Sequence, residues 1–433
     1  MIDVSALPAR RRWLPITLST PTGLKVAMAV TVVAVALFGI AATRAGLDRR
    51  AAADDVVGQA GPLLIDAQDL YVALAGADAA ASTSFLSTGL ESPELRAQYL
   101  DALGRAGQRL TAVAGADLGP EAAAAAERLG SDLLVYADLV EAARTNSRLE
   151  LLVGAAYLRD ASQLMRTEIL PAATAIYEDA AVELDDRYRD STGRPPLVAL
   201  VVTAGVALLV ILLTQLFVTA RTRRWLNAGL LIAAAVVVAA AVTTWLVLDR
   251  QADALAESRD DGADLATTLS TARIVTLRSL SDENLDLIER GGSEVDYIQD
   301  FEESISRVGI GETYGLLDRA RDTAPDRASR AALELIEARY DEYLAAHDEV
   351  RRLYDGGNYL AAVDVAVNRE AAAAGAVDAE LDELIERSSS TLIDDADRAR
   401  DFAVVLPILV VLAAIGAGTA IVIGLQPRLR EFR

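Results

Sequence analysis

Hydrophobic positions along the chain follow two patterns. In four windows, Val26 to Ala42, Leu197 to Ala220, Leu226 to Leu248 and Phe402 to Leu425, no charged residue occurs. Each is close to the ~20 apolar residues that a helix needs to cross hydrocarbon. Between these windows, apolar residues recur at steps of three and four. Leu158, Ala161, Met165, Ile169, Ala172, Ile176, Ala180 and Leu184 form one such series. Leu333, Ile336, Tyr340, Tyr343, His347, Val350 and Tyr354 form a second, and Leu360, Val363, Val367, Ala374, Val377, Leu381, Ile385 and Leu392 a third with one gap. One-sided stripes of this period predict helices packed along one face. Sustained strand alternation is absent, and the Ala, Glu and Arg content favours helix.

Breakers divide each long inter-span segment into about four helices. In the first they are Ser92-Pro93, Gly115 to Pro120 and the region near Gly154; in the second, Gly291-Gly292, Thr323 to Pro325 and Gly356-Gly357. Four helices in ~150 residues predict an up-down bundle whose outer helices continue into the spans. Taking ~35 residues per helix at 1.5 Å rise, each bundle is expected to stand roughly 50 Å off the membrane. Pro171 falls inside a clean stripe and predicts a kink, because it lacks a backbone donor.

Charge fixes the expected orientation. Arg10, Arg11, Arg12 and Lys25 precede the first span, Arg221, Arg223 and Arg224 separate the second and third, and Arg428, Arg430 and Arg433 follow the fourth. Basic residues near span ends mark the cytoplasmic side. Segment 43–196 has 24 acidic and 14 basic residues, and segment 249–401 has 37 and 17, so both are strongly acidic. The expected organisation is a cytoplasmic tail 1–23, a span 24–42, an extracellular bundle 43–196, a span 197–220 and a cytoplasmic loop 221–225. A span 226–248, a second extracellular bundle 249–401, a span 402–425 and a cytoplasmic tail 426–433 complete it. The fold class is an all-α membrane protein with four transmembrane helices and two tandem extracytoplasmic up-down four-helix bundles. The competing reading of the first span is a cleaved signal peptide, given the small residues Ala41, Ala42 and Ala45. Its apolar run exceeds a usual signal core.

The two halves also resemble each other. Leu47-Asp48-Arg49 matches Leu248-Asp249-Arg250, Tyr157-Leu158 matches Tyr359-Leu360, and Glu183-Leu184-Asp185 matches Glu380-Leu381-Asp382. Their common order and near-constant offset predict an internal duplication, with both halves sharing one topology and an axis along the membrane normal.

Composition removes most chemistry. The 433 residues contain no Cys and one His, which excludes disulfides, thiol catalysis and clustered-His metal sites. A net charge of -22 argues against nucleic acid as a partner. Phosphate loops and the HExxH and GxSxG patterns are missing. No catalytic, cofactor-binding or metal-ligating residue is expected, no cofactor is implied, and the ligand-binding residues stay unknown. Carboxylates are read as lying on solvent faces. The pairs Asp54-Asp55, Asp185-Asp186, Asp260-Asp261 and Asp394-Asp395 are helix neighbours that do not converge. His347 sits on an apolar stripe and reads as a packed, satisfied His, with a pH switch as the sharper alternative. Arg273 and Arg278 read as surface residues with stems along the bundle, against the alternative of gripping a ligand carboxylate.

The spans carry no mid-depth charge, and their polar residues are mainly Thr31, Thr203, Thr214, Gln215, Thr243, Thr244 and Thr419. A transport pathway usually places ionisable groups there. Gln426 to Arg433 leave no room for an output domain after the fourth span, so a sensor of this form is expected to signal through another protein.

Tyr157-Leu158-Arg159-Asp160-Ala161-Ser162-Gln163-Leu164-Met165, with Ile169-Leu170-Pro171-Ala172-Ala173, and the doubled four-span architecture resemble GlnX-type membrane proteins of high-GC Gram-positive bacteria. Each bundle is also similar to chemoreceptor-type sensor domains. The resemblance implies a relay. An extracytoplasmic solute-binding lipoprotein of the glutamine-binding type would detect aspartate and glutamate, and this chain would carry the signal to the cytosolic serine/threonine protein kinase G. A homodimer is compatible with the architecture. The alternative is a structural or scaffolding protein that organises envelope partners, with a transporter as the less favoured third reading.

Overall fold

The computed structural model describes residues 20–87, 92–149, 153–192, 195–222, 227–257, 264–290, 295–310 and 314–430. The Gly291-Gly292 breaker, Arg10 to Arg12, Arg223, Arg224, Arg433 and Asp260-Asp261 lie outside them, as do the side chains of Leu392, Asp394 and Asp395. The described residues are almost all helical and contain no strand, so the chain is an all-α membrane protein. It divides into two compact units, residues 1–50 with 193–250 and 402–433, and residues 51–192 with 251–401.

Among the described residues of the first unit, four helices are apolar and long enough to cross a bilayer, over Thr22–Asp48, Val198–Ala220, Ala228–Arg250 and Pro407–Pro427. They belong to α1 (Thr20–Asp55), α7 (Pro195–Thr222), α8 (Ala228–Glu257) and α14 (Ala371–Arg430). Val201, Val206, Leu209, Leu213 and Leu216 of α7 are all exposed, a density of apolar surface that water does not tolerate and lipid does. Several polar groups are satisfied within the spans. The hydroxyls of Thr203 and Thr419 donate back to the carbonyls of Ala199 and Ile415 at 2.7 and 2.8 Å. Thr31 of α1 and Thr214 of α7 share a 2.8 Å hydrogen bond between spans. The Asn227 amide donates to the Gly424 carbonyl at 2.8 Å, tying the start of α8 to α14.

The second unit is built from both long segments. The first supplies α2 (Gly61–Leu86), α3 (Pro93–Ala114), α4 (Pro120–Arg148), α5 (Val153–Leu164) and α6 (Leu170–Thr192). The Ser92 hydroxyl caps α3 by accepting from the backbone of Glu94 and Leu95, and Pro93 sits in the first turn where its missing donor costs nothing. The second segment supplies α9 (Asp264–Glu289), α10 (Tyr297–Val308), α11 (Leu316–Thr323), α12 (Arg327–Asp355) and α13 (Tyr359–Val365), followed by the start of α14. The break between α10 and α11 was not legible from the breakers. Gly309 ends α10 at φ +85°, a conformation that a side chain disfavours, and its Cα packs directly on Gly315.

Among the described residues, three π turns interrupt these helices, at Val56–Ala60, Met165–Ile169 and Ala366–Glu370. The second lies just before Pro171, where a kink is expected. Proline there gives the Thr167 carbonyl no donor and its ring crowds that carbonyl, so the turn before it widens. The second and third π turns start 201 positions apart, the offset between the Leu-Asp-Arg matches.

The Leu158 to Leu184 stripe is buried at every position. In the third stripe, Leu360 is 71% exposed and Val367 only half-buried, while Ala366 and Glu370 are fully buried. The gap in the pattern therefore marks the π turn, which rotates the inward face by about one position. Expected as separate bundles, the two segments share apolar cores. Leu285 and Tyr297 pack with the first segment's core, and Ala79 of α2 packs in the core of the second. The contact runs along α2 and α9, which lie side by side and parallel, joined from Gln68 with Thr267 to Thr83 with Asn284.

Candidate functional site

A helix touched on all sides has no solvent face. From Ser279 to Leu287 of α9, every residue is buried, including Asp282, Glu283, Asn284 and Asp286. Asp78 of α2 is buried opposite them, and so is Glu370 in the third π turn. This corrects the expectation that carboxylates occupy solvent faces. One-sided periodicity finds helices at the rim of a bundle, and it fails for the central pair.

Three ionic assemblies follow along this seam. Asp78 accepts from the hydroxyls of Ser162 at 2.8 Å, Ser281 at 2.7 Å and Tyr136 at 3.4 Å. Ser281 is the only one of the three from the second segment, so a first-segment carboxylate is satisfied across the seam. Burial next to that carboxylate pushes the Tyr136 hydroxyl well above its ordinary range. The second assembly pairs Asp282, which is 0% exposed, with Arg166 of the second π turn. Arg166 also faces Asp300 at 3.6 Å and lies over the Tyr297 ring at 5.0 Å. Burial raises the Asp282 carboxyl to about 7, against the opposing pull of Arg166 and Arg278.

The third assembly centres on His347 of α12. Its Nδ1 is in direct contact with Glu283 Oε2 and lies 3.7 Å from Glu370 Oε1. The ring stacks on Phe301 with centroids 3.9 Å apart and planes 11° from parallel. Arg351 approaches Glu283 Oε1 at 3.6 Å and donates to Asp286 at 2.7 Å. Burial opposes charge on the imidazole, but its hydrogen bond to Glu283 and the nearby Glu283 and Glu370 carboxylates outweigh that and raise it to about 9. Burial, and then the charge of Glu283, raise the Glu370 carboxyl as well. His347 is thus packed with Nδ1 satisfied, as expected, and its raised range sets it away from a switch at neutral pH. The two acids beside it favour its protonated form.

Arg273 is turned inward against the chain itself. Its guanidinium donates to both Asp378 oxygens, at 2.5 and 2.9 Å, and to Asp382. That bidentate fork is occupied, so the ligand-carboxylate alternative loses its donor. Arg278 is half-buried, and its charge acts on Asp282. Among the adjacent acidic pairs, Asp55 pairs with Arg187, and Asp185 and Asp186 pair with Arg189, all as partly exposed helix-surface bridges.

Residues Arg166, Asp282, Glu283 and Glu370 were not singled out from sequence. Two signals could have found them: the unbroken polar run Ser281-Asp282-Glu283-Asn284 inside a helix expected to be amphipathic, and the gap around Glu370 in the third stripe.

No curated protein and no solved structure matches the chain. Residues 52–189, which include α2 through most of α6 and carry Asp78 and Arg166, match the family model described as the Actinobacterial sensor domain. The first long segment is thus similar to an actinobacterial sensor domain, which supports a sensing or signalling role for this multi-pass helical membrane protein.

Proposed function

We propose that the chain is a non-enzymatic transmembrane signal transducer of the plasma membrane, with both termini and the short central loop in the cytoplasm and both long segments outside. The basic clusters beside the spans and the acidic segments between them support this orientation. The offset of 201 shared by two π turns and the Leu-Asp-Arg matches supports a tandem duplication of span and four-helix bundle. In this reading the solute-binding lipoprotein reports external aspartate and glutamate to the long segments, and kinase G receives the signal inside.

The observation that carries the proposal is α14. It is one helix from Ala371 to Arg430, beginning at the residue after Glu370 and including the fourth span Pro407–Pro427. A shift of an ångström or two at a packed helix is transmitted along such an element. The chain lacks cysteine, so paired cysteines introduced into the spans report without background. Cross-linking rates in native membranes, with and without the lipoprotein and aspartate, are expected to change for pairs that include the fourth span. Identical rates, or a pull-down that recovers only cell-wall enzymes, would favour the scaffolding alternative.

A further inference from the structure

We infer that Glu283, His347 and Glu370 form a binding site for a divalent first-row cation of the zinc or manganese class. The inference does not depend on the signalling role proposed above.

The three residues come from different pieces of chain: α9, α12 and the π turn preceding α14. Each offers one donor atom, and the three atoms lie within 4.8 Å of one another. His347 Nδ1 and Glu370 Oε1 are 3.7 Å apart. Two ligands at ~2.1 Å from a shared tetrahedral ion stand about 3.4 Å apart, so this separation already suits a common ion. Glu283 Oε2, now against Nδ1, needs to retreat by a side-chain rotation for the ion to enter.

The second observation is unmet bonding capacity. Glu370 is 0% exposed, yet neither of its carboxylate oxygens has a hydrogen-bond partner, and Glu283 Oε1 lacks one too. A buried carboxylate left in this way is costly, and native interiors rarely keep one without an ion, a proton or a donor to hold it. Charge points the same way. With the imidazole neutral, as coordination requires, Glu283, Glu370 and Asp286 face the one guanidinium of Arg351. The excess of two negative charges is what a dication cancels.

The donor set selects the class of ion. One imidazole with two carboxylates and no thiolate suits zinc or manganese, while calcium and magnesium prefer oxygen alone and copper(I) prefers sulfur. The surroundings are those of a held ligand set. Phe301 stacks on the imidazole and fixes its plane, and Arg351 approaches Glu283 Oε1 at 3.6 Å. An ion here would fasten α9 and α12 to the start of α14.

The test uses the full-length chain in detergent, stripped with chelator and titrated calorimetrically with zinc chloride and, separately, manganese chloride, with metal content measured after dialysis. One equivalent of one or both ions is expected. Glu370→Gln and His347→Gln are each expected to weaken binding by at least about 100-fold, since losing a ligand costs more than losing an outer partner. Cobalt(II) supplies a second readout, because its visible spectrum reports an imidazole and carboxylate ligand field that both variants should abolish. Should Glu370→Gln not fold, Glu370→Asp withdraws the donor and keeps the charge. Absence of stoichiometric binding, or binding that survives either substitution, would overturn the site.

Discussion

The side-chain amide of Asn284 on α9 donates to the Thr83 hydroxyl on α2 at 2.9 Å, between positions 201 residues apart. The same amide reaches Ser82 at 3.2 Å, and Ser281 reaches Asp78 one turn earlier. Contacts between positions separated by the chain's own repeat spacing are what a local two-fold axis along two parallel helices produces. Asn284 is fully buried, so its removal is informative. Asn284→Ala is expected to cost about 2 kcal/mol, from lost hydrogen bonds and the space left behind. Asn368→Ala, on an exposed face, should stay within about 0.5 kcal/mol. Chemical denaturation followed by circular dichroism measures both.

Asp78 anchors three hydroxyls, two of them in its own segment. Asp78→Ala leaves all three buried without their acceptor and is expected to destabilise the unit by roughly 3–4 kcal/mol. Ser281→Ala removes one donor and should cost about 1 kcal/mol in the same assay.

Stability of the chelator-treated protein should fall as pH rises from 6 to 9.5. His347 and Asp282 both bind a proton more tightly when folded. The folded state then holds more protons than the unfolded chain, and a rise in pH favours unfolding. The His347 contribution is complete below its ordinary 6.5 and gone once pH passes about 9. That of Asp282 is complete below 3.8 and gone above about 7. The raised Glu370 carboxyl adds in the same direction. A loss of roughly 2–4 kcal/mol across the interval is expected. Thermal melts at stepped pH should show it, and His347→Gln should flatten the upper half of the curve.

Arg273 binds two acids of α14 from α9, with its own side chain 13% exposed and the acids 27% and 59%. Solvent at the acids screens the pair, so a double-mutant cycle of Arg273→Ala with Asp378→Ala should yield a coupling of about 1 kcal/mol. A coupling near zero would mean the fork is free to meet a ligand instead.

Within the spans, a Cβ on Gly229 would meet the Gly424 Cα at 2.7 Å and press on the Ala420 carbonyl. Both obstacles are backbone and cannot swing aside. Gly229→Ala is therefore expected to part α8 from α14 and lower the melting temperature in detergent by several degrees, while Gly205→Ala, which meets nothing, should not.

The sequence by itself determined the four spans, the helical class, and the stripe from Leu158 to Leu184, because a run of apolar residues and a one-sided period are properties of consecutive positions. It also held the Leu-Asp-Arg offset of 201, which the Thr83–Asn284 contact between α2 and α9 shares. Only the tertiary structure decided that Asp78, Asp282, Glu283 and Glu370 lie inside. A carboxylate is hydrophilic wherever it stands in a sequence, and whether it meets water depends on how many neighbouring helices surround its own. The π turn at Ala366–Glu370 likewise turns Glu370 toward His347, and a shift of one residue in helical phase appears in the sequence only as a gap between Val367 and Ala374.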